Sequence, residues 1–419
     1  MKKYDILIAG GGFAGIGAAL AAARLGKSVL IVDRNGALGG AASDALVFPF
    51  MPYATKVKKP DGSTEDLYLV RGVFKEITDA VIADKSGDTR SFNTARLTAI
   101  LDTLVKEAGV DVLFHAELTG VKRDAKRINT VSVATVGGTL ELQAAYFIDA
   151  TGDANLAFLA NCRYRLGRES DSLCQPMTLC FRVSGVNYKE MRKHNTEIQR
   201  LYCAEKEKSN IKNPREDILY FPTDDPNVVH FNTTRVIKHN PTDPFMLSAA
   251  EMEARRQMVE LVDFLRNTVP ECQNAVIVSA ASRIGVRESR MVEGEHRLTA
   301  MELMAFKKFP DAVAAGNYDI DIHNPEGSGT SHYFFPMGEY YTIPLGSLIV
   351  KEADNLLVAG RCISCDHEAQ ASIRIMPICC ATGHAAGVAA SVACETMTPV
   401  KSVDVQKVQE QIKEQNGFF

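Results

Sequence analysis

An apolar run, Tyr4 to Ala9 (YDILIA), breaks into three consecutive glycines, Gly10 to Gly12, and the chain resumes as an alanine-rich helical pattern through Leu25. A second apolar run, Lys27 to Val32 (KSVLIV), ends on Asp33. Strand, tight turn, helix and strand make a βαβ unit, whose crossover is right-handed and whose strands are parallel. Within it, Gly10, Gly12 and Gly15 have the spacing at which one glycine permits the turn, the next lets backbone approach a pyrophosphate, and the third lets the helix pack close. The amides of the helix start, around Phe13 and Ala14, offer donors and a positive dipole end to phosphate. Asp33, with Arg34 beside it, is placed to hold ribose hydroxyls. The plainer alternative is a glycine-rich turn that binds nothing, and the flanking strands and helix argue against it.

The chain has 419 residues, 46% hydrophobic and 23% charged, which excludes a disordered or fibrous protein and allows two domains. Its net charge of -4 lacks the basic excess that drives phosphate-backbone binding, so nucleic acid is not an expected partner. The apolar stretch Ile16 to Leu25 is far shorter than the roughly 20 residues a membrane span needs, so no membrane partner is expected. No charged leader precedes the first strand pattern, and the expected location is cytoplasmic. Ten cysteines without a repeating spacing read as reduced thiols, mostly in the core.

Further along, Asn93 or Thr94 caps a helical pattern to Glu107, Val110 to Phe114 reads as a strand, and Leu118 to Ile148 alternates as a β-meander. Tyr146 to Asp149 runs into Ala150-Thr151-Gly152-Asp153, another strand ending in a small-residue turn. Asn355 to Ala359 is a buried-strand pattern followed by Gly360-Arg361, and a small-residue helix is expected from about Ala381 to Cys394. The expected division is a discontinuous nucleotide-binding domain of residues 1–45, 93–160 and 346–397, a substrate domain of 46–92 and 161–345, and a C-terminal tail helix in 398–419.

The βαβ unit serves NAD and FAD alike, and three features favour FAD. Gly39-Gly40 follows the second strand, where backbone can pass close to an extended cofactor; the chain returns to the nucleotide at Ala150, Thr151 and Gly152; and it returns again at Gly360 and Arg361. An NAD domain usually completes itself in one stretch. The fold class expected is therefore α/β: a Rossmann-like FAD-binding domain, a parallel sheet with a β-meander, interrupted by an α+β substrate domain.

These motifs, with RIGVRESRMVEG at 283–294, DIHNPEG at 321–327 and SIRIMPICCATGHAAGVAA at 372–390, carry a resemblance over nearly the whole chain. The sequence resembles the bacterial FAD-dependent oxidoreductases of the glutathione reductase structural superfamily, related to fumarate reductase flavoproteins. The resemblance implies FAD with substrate bound over its isoalloxazine. The sequence departs from such proteins in four places: Asp33 where many flavoproteins carry glutamate, no second Gly-x-Gly-x-x-Gly, Gly360-Arg361 where aromatic hydroxylases have Gly-Asp, and no His-Gly-Ala-Asn-Arg run. On the strength of the resemblance, Gly383, Ala385 and Ala386 are expected to open a helix against the flavin, with Ile373 and Arg374 just ahead of it.

Candidate catalytic residues come from polar loops flanking that segment. His367 is the first choice for taking the proton of an alcohol as hydride leaves, because histidine titrates in the useful range. His332 and Tyr341 lie just before the chain re-enters the FAD domain, where loops on a rigid scaffold carry function. Arg287 offers a guanidinium to clamp a carboxylate substrate or the cofactor. For each, a structural hydrogen bond or ion pair is the competing explanation. No metal site is expected: Cys362, Cys365, Cys379 and Cys380 sit in apolar segments, and Asp321 and His323 lack further ligands. The expected function is hydride transfer from a small polar substrate, a sugar-like alcohol or a carboxylate, to flavin N5, with oxygen or a separate electron acceptor reoxidising it. A reductase fed by a separate donor and a non-catalytic flavin-binding redox sensor stay open as alternatives.

Overall fold

The computed structural model describes residues 3–419. Strand β1 (Lys3–Ala9), helix α1 (Phe13–Arg24) and strand β2 (Val29–Val32) form the expected unit, with β1 and β2 parallel and Ile6 opposite Val29. Asn93 caps helix α2 (Thr94–Glu107), its side chain accepting from the Arg96 amide at 3.2 Å. Strands β3 (Asp111–Leu113), β4 (Glu117–Asp124), β5 (Arg127–Thr135), β6 (Gly138–Asp149) and β7 (Leu356–Val358) complete a sheet of order β3-β2-β1-β6-β5-β4, with β7 on β6. Strand β6 has two jobs. Its first residues pair antiparallel with β5 in the meander, and its last seven, Gln143 to Asp149, lie parallel to β1. The last three also pair with β7 on the other side, which buries Phe147 and Ile148 completely.

A second hydrophobic core draws only on residues 177–284. Its sheet orders Tyr220–Pro222, Val228–Phe231, Phe181–Ser184 and Val276–Ala280, and helix α3 (Pro244–Thr268) packs on it through Met258, Leu261 and Leu265. This core is narrower than the substrate region expected from sequence. Phe48, Phe50, Val73, Phe74 and Phe92 join the core of the first sheet, as do Met291, Val313, Tyr341 and Ile343. The proline-rich loops of 46–92 hid that packing: Phe50 is ringed by Phe13, Phe74 and Phe92, a contact between segments no local periodicity reports.

Helix α4 (His367–Ile373) is followed directly by helix α5 (Met376–Thr396), which starts five residues earlier than the sequence pattern indicated. Pro377 sits in its first turn, where a missing N–H costs nothing, so it begins the helix rather than excluding it. Among the described residues α5 is the one helix long and apolar enough to cross a bilayer, and 89% of its most apolar window is buried inside the fold. Its partner is α1. A Cβ on Gly383 would lie 1.9 Å from the Ala14 carbonyl, one on Gly387 2.2 Å from that of Ala18, and one on Gly17 2.3 Å from that of Cys380. The two backbones therefore touch, side by side and parallel. Residue 14 is second in α1 and residue 383 eighth in α5, so α5 reaches some two turns, about 9 Å, past the start of α1. Helix α6 (Val405–Glu414) closes the chain, with Val408 and Ile412 in the first core.

Replacing Gly387 with valine should force the two helices apart. The expected cost is about 1–3 kcal/mol, as for other overpacked cores, read as a lower urea midpoint at unchanged slope. An unaltered midpoint would show that the helices have slack at this contact.

Candidate functional site

The start of α1 is uncapped: Gly12 stands at its N-cap and no side chain accepts from its first amides. Those orphan donors need an acceptor. They face a cavity of about 220 Å3 lined by Gly10, Gly12, Phe13 and Ala14, far more than the ~10–15 Å3 that a single water requires. Gly10 adopts φ +100°, and a Cβ there would lie 2.5 Å from the Ala150 carbonyl, so β1 and the turn after β6 approach as only glycine allows. At Gly12 the situation differs: a Cβ would meet nothing closer than Gly40 Cα at 3.8 Å. Its space is open cavity.

Most of the residues expected to hold the cofactor converge there. Asp33, Gly39, Gly40, Ala150, Thr151, Gly152, Gly360, Arg361 and Arg374 all line the cavity. The Asp33 carboxylate accepts from the amides of Gly11 at 2.5 Å and Asn35 at 2.7 Å, which fixes it at the cavity edge. Arg34 lines the adjoining cleft with Glu117 and Leu118. Gly39 donates its amide to the Gly11 carbonyl at 2.9 Å, bringing the Gly39-Gly40 pair against the first turn.

Five expected contacts are elsewhere. Gly15 does the close packing that its spacing predicted and is not itself in the cavity wall: a Cβ would fall 1.8 Å from the Gly10 carbonyl. Gly383, Ala385 and Ala386 lie in the middle of α5, and Gly383 faces α1; the helix start that meets the cavity is Ile375–Met376. Ile373 is wholly buried in the core.

The turn after β6 is built by a carboxylate that sequence reasoning left unassigned. Asp149 accepts from the Thr151 amide and hydroxyl at 3.0 and 2.7 Å and from the Ala157 amide at 2.9 Å. Burial holds its carboxyl above the ordinary value despite those bonds. Next to it, Arg361 donates to Asp153 at 2.8 Å and to Ser289 at 3.0 Å, while Ser289 donates to Asp153 at 2.7 Å. Burial would raise Asp153, but the Arg361 charge and the Ser289 hydroxyl prevail and hold it at about 2. This triad joins the loop after β7 to the segment that leaves the second core. Thr178, Asn232 and Arg283 also line the cavity. Arg283 lies in a motif already quoted, whereas Asn232 carried no local signal.

Of the four catalytic candidates the structure brings only Arg287 to the cavity. His332 is on an exposed hairpin, 2.7 Å from Asp319 and stacked on Phe334. Tyr341 is fully buried with its hydroxyl 2.6 Å from that of Ser372, and burial pushes its pKa well up. His367 opens α4, where Nδ1 lies 2.8 Å from Oε1 of the wholly buried Glu288. Burial alone would lower His367, but the hydrogen bond and charge of Glu288 together outweigh it and hold the imidazole above its ordinary value. These three are structural partners rather than cavity walls. The charged lining consists of Asp33, Asp153, Arg283, Arg287, Arg361 and Arg374, with no histidine.

All ten cysteines are free, and burial pushes the Cys379 thiol, at the cavity wall, up to about 12. No group of three or more His, Cys, Asp or Glu among the described residues is arranged to hold a metal.

The chain matches the family model described as FAD dependent oxidoreductase over residues 5–412. No curated protein matches it. Similar solved structures include a geranylgeranyl bacteriochlorophyll reductase-like protein from Thermoplasma acidophilum, at 14% identity and TM-score 0.48, with 99% of this chain and 84% of that chain covered. The p-nitrophenol 4-monooxygenase PnpA from Pseudomonas putida DLL-E4 aligns at 10% identity and TM-score 0.46, covering 99% and 85%. A flavoprotein/dehydrogenase from Cytophaga hutchinsonii aligns at 12% identity and TM-score 0.46, covering 98% and 83%.

Because His367 is raised in the fold, its charge-dependent stabilisation is complete below the unfolded value of ~6.5 and fades as pH rises through the folded one. The loss of melting temperature in His367→Gln should therefore be larger at pH 6 than at pH 9. A gap independent of pH would mean that the imidazole is not charged against Glu288.

Proposed function

The chain belongs to the FAD dependent oxidoreductase family, and from that premise we propose that the cavity holds FAD along its length and that a small polar substrate binds at the ring end. The observation that carries this reading is the cavity itself. It runs from Asp33 past the uncapped start of α1 to Gly360, Arg361 and the start of α5, joining the parts an adenine dinucleotide needs.

In this reading the first amides of α1 bind the pyrophosphate and Asp33 accepts from ribose hydroxyls. Gly39 and Gly40 let the extended cofactor pass. The α5 start, two turns beyond that of α1, directs its amides and dipole toward the ring end. Val47, Pro49, Met51 and Met376 supply an apolar wall that excludes water. The bound flavin supplies a hydride acceptor, N5. The protein's part is to hold substrate over it, and with no histidine in the wall, orientation rather than an imidazole base is what the side chains offer. The second core, residues 177–284, is the proposed substrate domain, reaching the cavity through Thr178, Asn232 and Arg283. Kinship with fumarate-reductase-related flavoproteins of the glutathione reductase superfamily belongs to the same proposal, supported by the order of the four glycine motifs. Ten unpaired cysteines support a reducing, cytoplasmic setting.

Purified protein should be yellow and release FAD on denaturation. Gly12→Val has room for its side chain only where the pyrophosphate is placed, so the variant should fold with an unchanged circular dichroism spectrum and contain little flavin. Full flavin content would refute that placement. Anaerobic mixing with candidate alcohols and organic acids should bleach the bound flavin for the true substrate; a substrate that instead reoxidises reduced flavin reverses the proposed direction.

A further inference from the structure

Four guanidiniums line the cavity, and three have a carboxylate of their own: Arg361 with Asp153 at 2.8 Å, Arg374 with Asp321 at 3.4 Å, and Arg283 with Asp44 at 3.8 Å. Arg287 has none among the described residues. Its Nη1 donates to the Pro176 carbonyl at 2.6 Å, while Nε and Nη2 make no hydrogen bond with the protein and are not sealed away from the cavity. The cations behind it are matched too, Arg235 by Glu216 at 2.9 Å and Arg215 by Asp217 at 2.8 Å. A half-buried charge with no acidic partner is costly. Burial lowers Arg287 to about 9, and the neighbouring Arg374 adds repulsion.

The fold holds the Arg287 main chain from one side, as the Pro176 carbonyl holds Nη1. Gln370 Nε2 donates to the Arg287 carbonyl at 2.7 Å, and Gln370 accepts from Gln175 at 3.0 Å. The Gln175 amide donates to Glu288 at 2.8 Å, and Glu288 pairs with His367. Gln370 and Arg374 are one helical turn apart at the end of α4. Arg287 is thereby tied to α4, with Arg374 as its neighbouring charge. What remains is a planar fork with free parallel donors, the geometry that recognises a carboxylate, next to the apolar Val286 and Met376.

We propose that Arg287, seconded by Arg374, is the subsite for a substrate carboxylate, so that the substrate is a small organic acid rather than a neutral alcohol. This rests on FAD occupying the cavity. Glu288 and His367 are positioning residues for the fork, which accounts for a buried ion pair with no access to the cavity.

The test uses FAD-loaded protein with benzoate and malonate as probes and benzamide as the neutral control, at constant ionic strength, followed by calorimetry and by the visible spectrum of the bound flavin. The acids should bind and perturb the spectrum while benzamide does neither. Arg287→Met should keep its FAD and weaken both acids at least about tenfold, the loss of a charge-assisted pair, with Arg287→Lys between. If Arg287→Met does not fold, the lysine variant carries the comparison. Equal affinities in variant and parent, or a parent blind to both acids, overturn the inference. So does loss of FAD from a folded Arg287→Met, which would assign the guanidinium to the cofactor while leaving the FAD reading intact. A parent protein that takes up no FAD removes that reading and this one with it.

Discussion

The backbone contact between α1 and α5 is the constraint on which the rest of the molecule depends. Two helices separated in sequence by more than three hundred residues meet through Gly17, Gly383 and Gly387, at distances that no Cβ tolerates. Alanines at 18, 19, 385, 386, 389 and 390 flank these glycines in sequence and are fully buried. Close approach aligns the two helices in parallel, so both positive ends open on the same side of the sheet. The offset between them then spaces two clusters of unpaired amides along one cavity. A wider seam would break that spacing before it broke any single hydrogen bond.

What was legible in the sequence is what is encoded over short range. Strand β1, the glycine turn, α1 and β2 were readable because burial on both faces of a parallel sheet demands continuous apolar runs, and the turn demands glycine at Gly10, where φ is +100°. Asn93 was readable as a cap because its side chain acts on an amide three residues away. The resemblance extended this to the convergence of Gly39-Gly40, Ala150–Gly152 and Gly360-Arg361. That His367, His332 and Tyr341 do not line the cavity was not legible for one common reason: a polar residue in a loop shows its chemistry but not its direction. Glu288, seventy-nine positions away, decides where His367 points. The start of α5 was misplaced because Pro377 is a breaker inside a helix and a starter at its first turn, and only the tertiary position tells which.

The small-residue run after Pro377 shows the same ambiguity from the other side. Absent bulk is needed equally for a planar ring and for a second helix, and sequence alone does not separate the two. The structure gives Gly383 to the helix and leaves the cavity to residues with side chains, Ile375, Met376 and Cys379. Polarity is then divided along the cavity. Backbone amides open on the cavity at the α1 start, while of the four guanidiniums in its wall Arg374 stands at the α4–α5 junction, Arg283 reaches the Asp33–Arg34 cleft and Arg361 follows β7, each matched to an acid except Arg287.

Stability and function are coupled through this division. The cavity walls come from stretches near residues 10, 40, 150, 180, 285, 360 and 375, so a dinucleotide bound there as proposed would touch segments that only the finished fold brings together. A ligand of that kind binds the native state and not the unfolded chain, and stabilises it by RT ln(1 + [L]/Kd), about 2.7 kcal/mol at a hundredfold excess over Kd. The Arg361–Asp153–Ser289 triad makes the same connection within the protein, tying the β7 loop to the chain leaving the second core. The Arg361 cation is spent on Asp153, the α1 start keeps its backbone donors, and Arg287 is left without an acid of its own among the described residues.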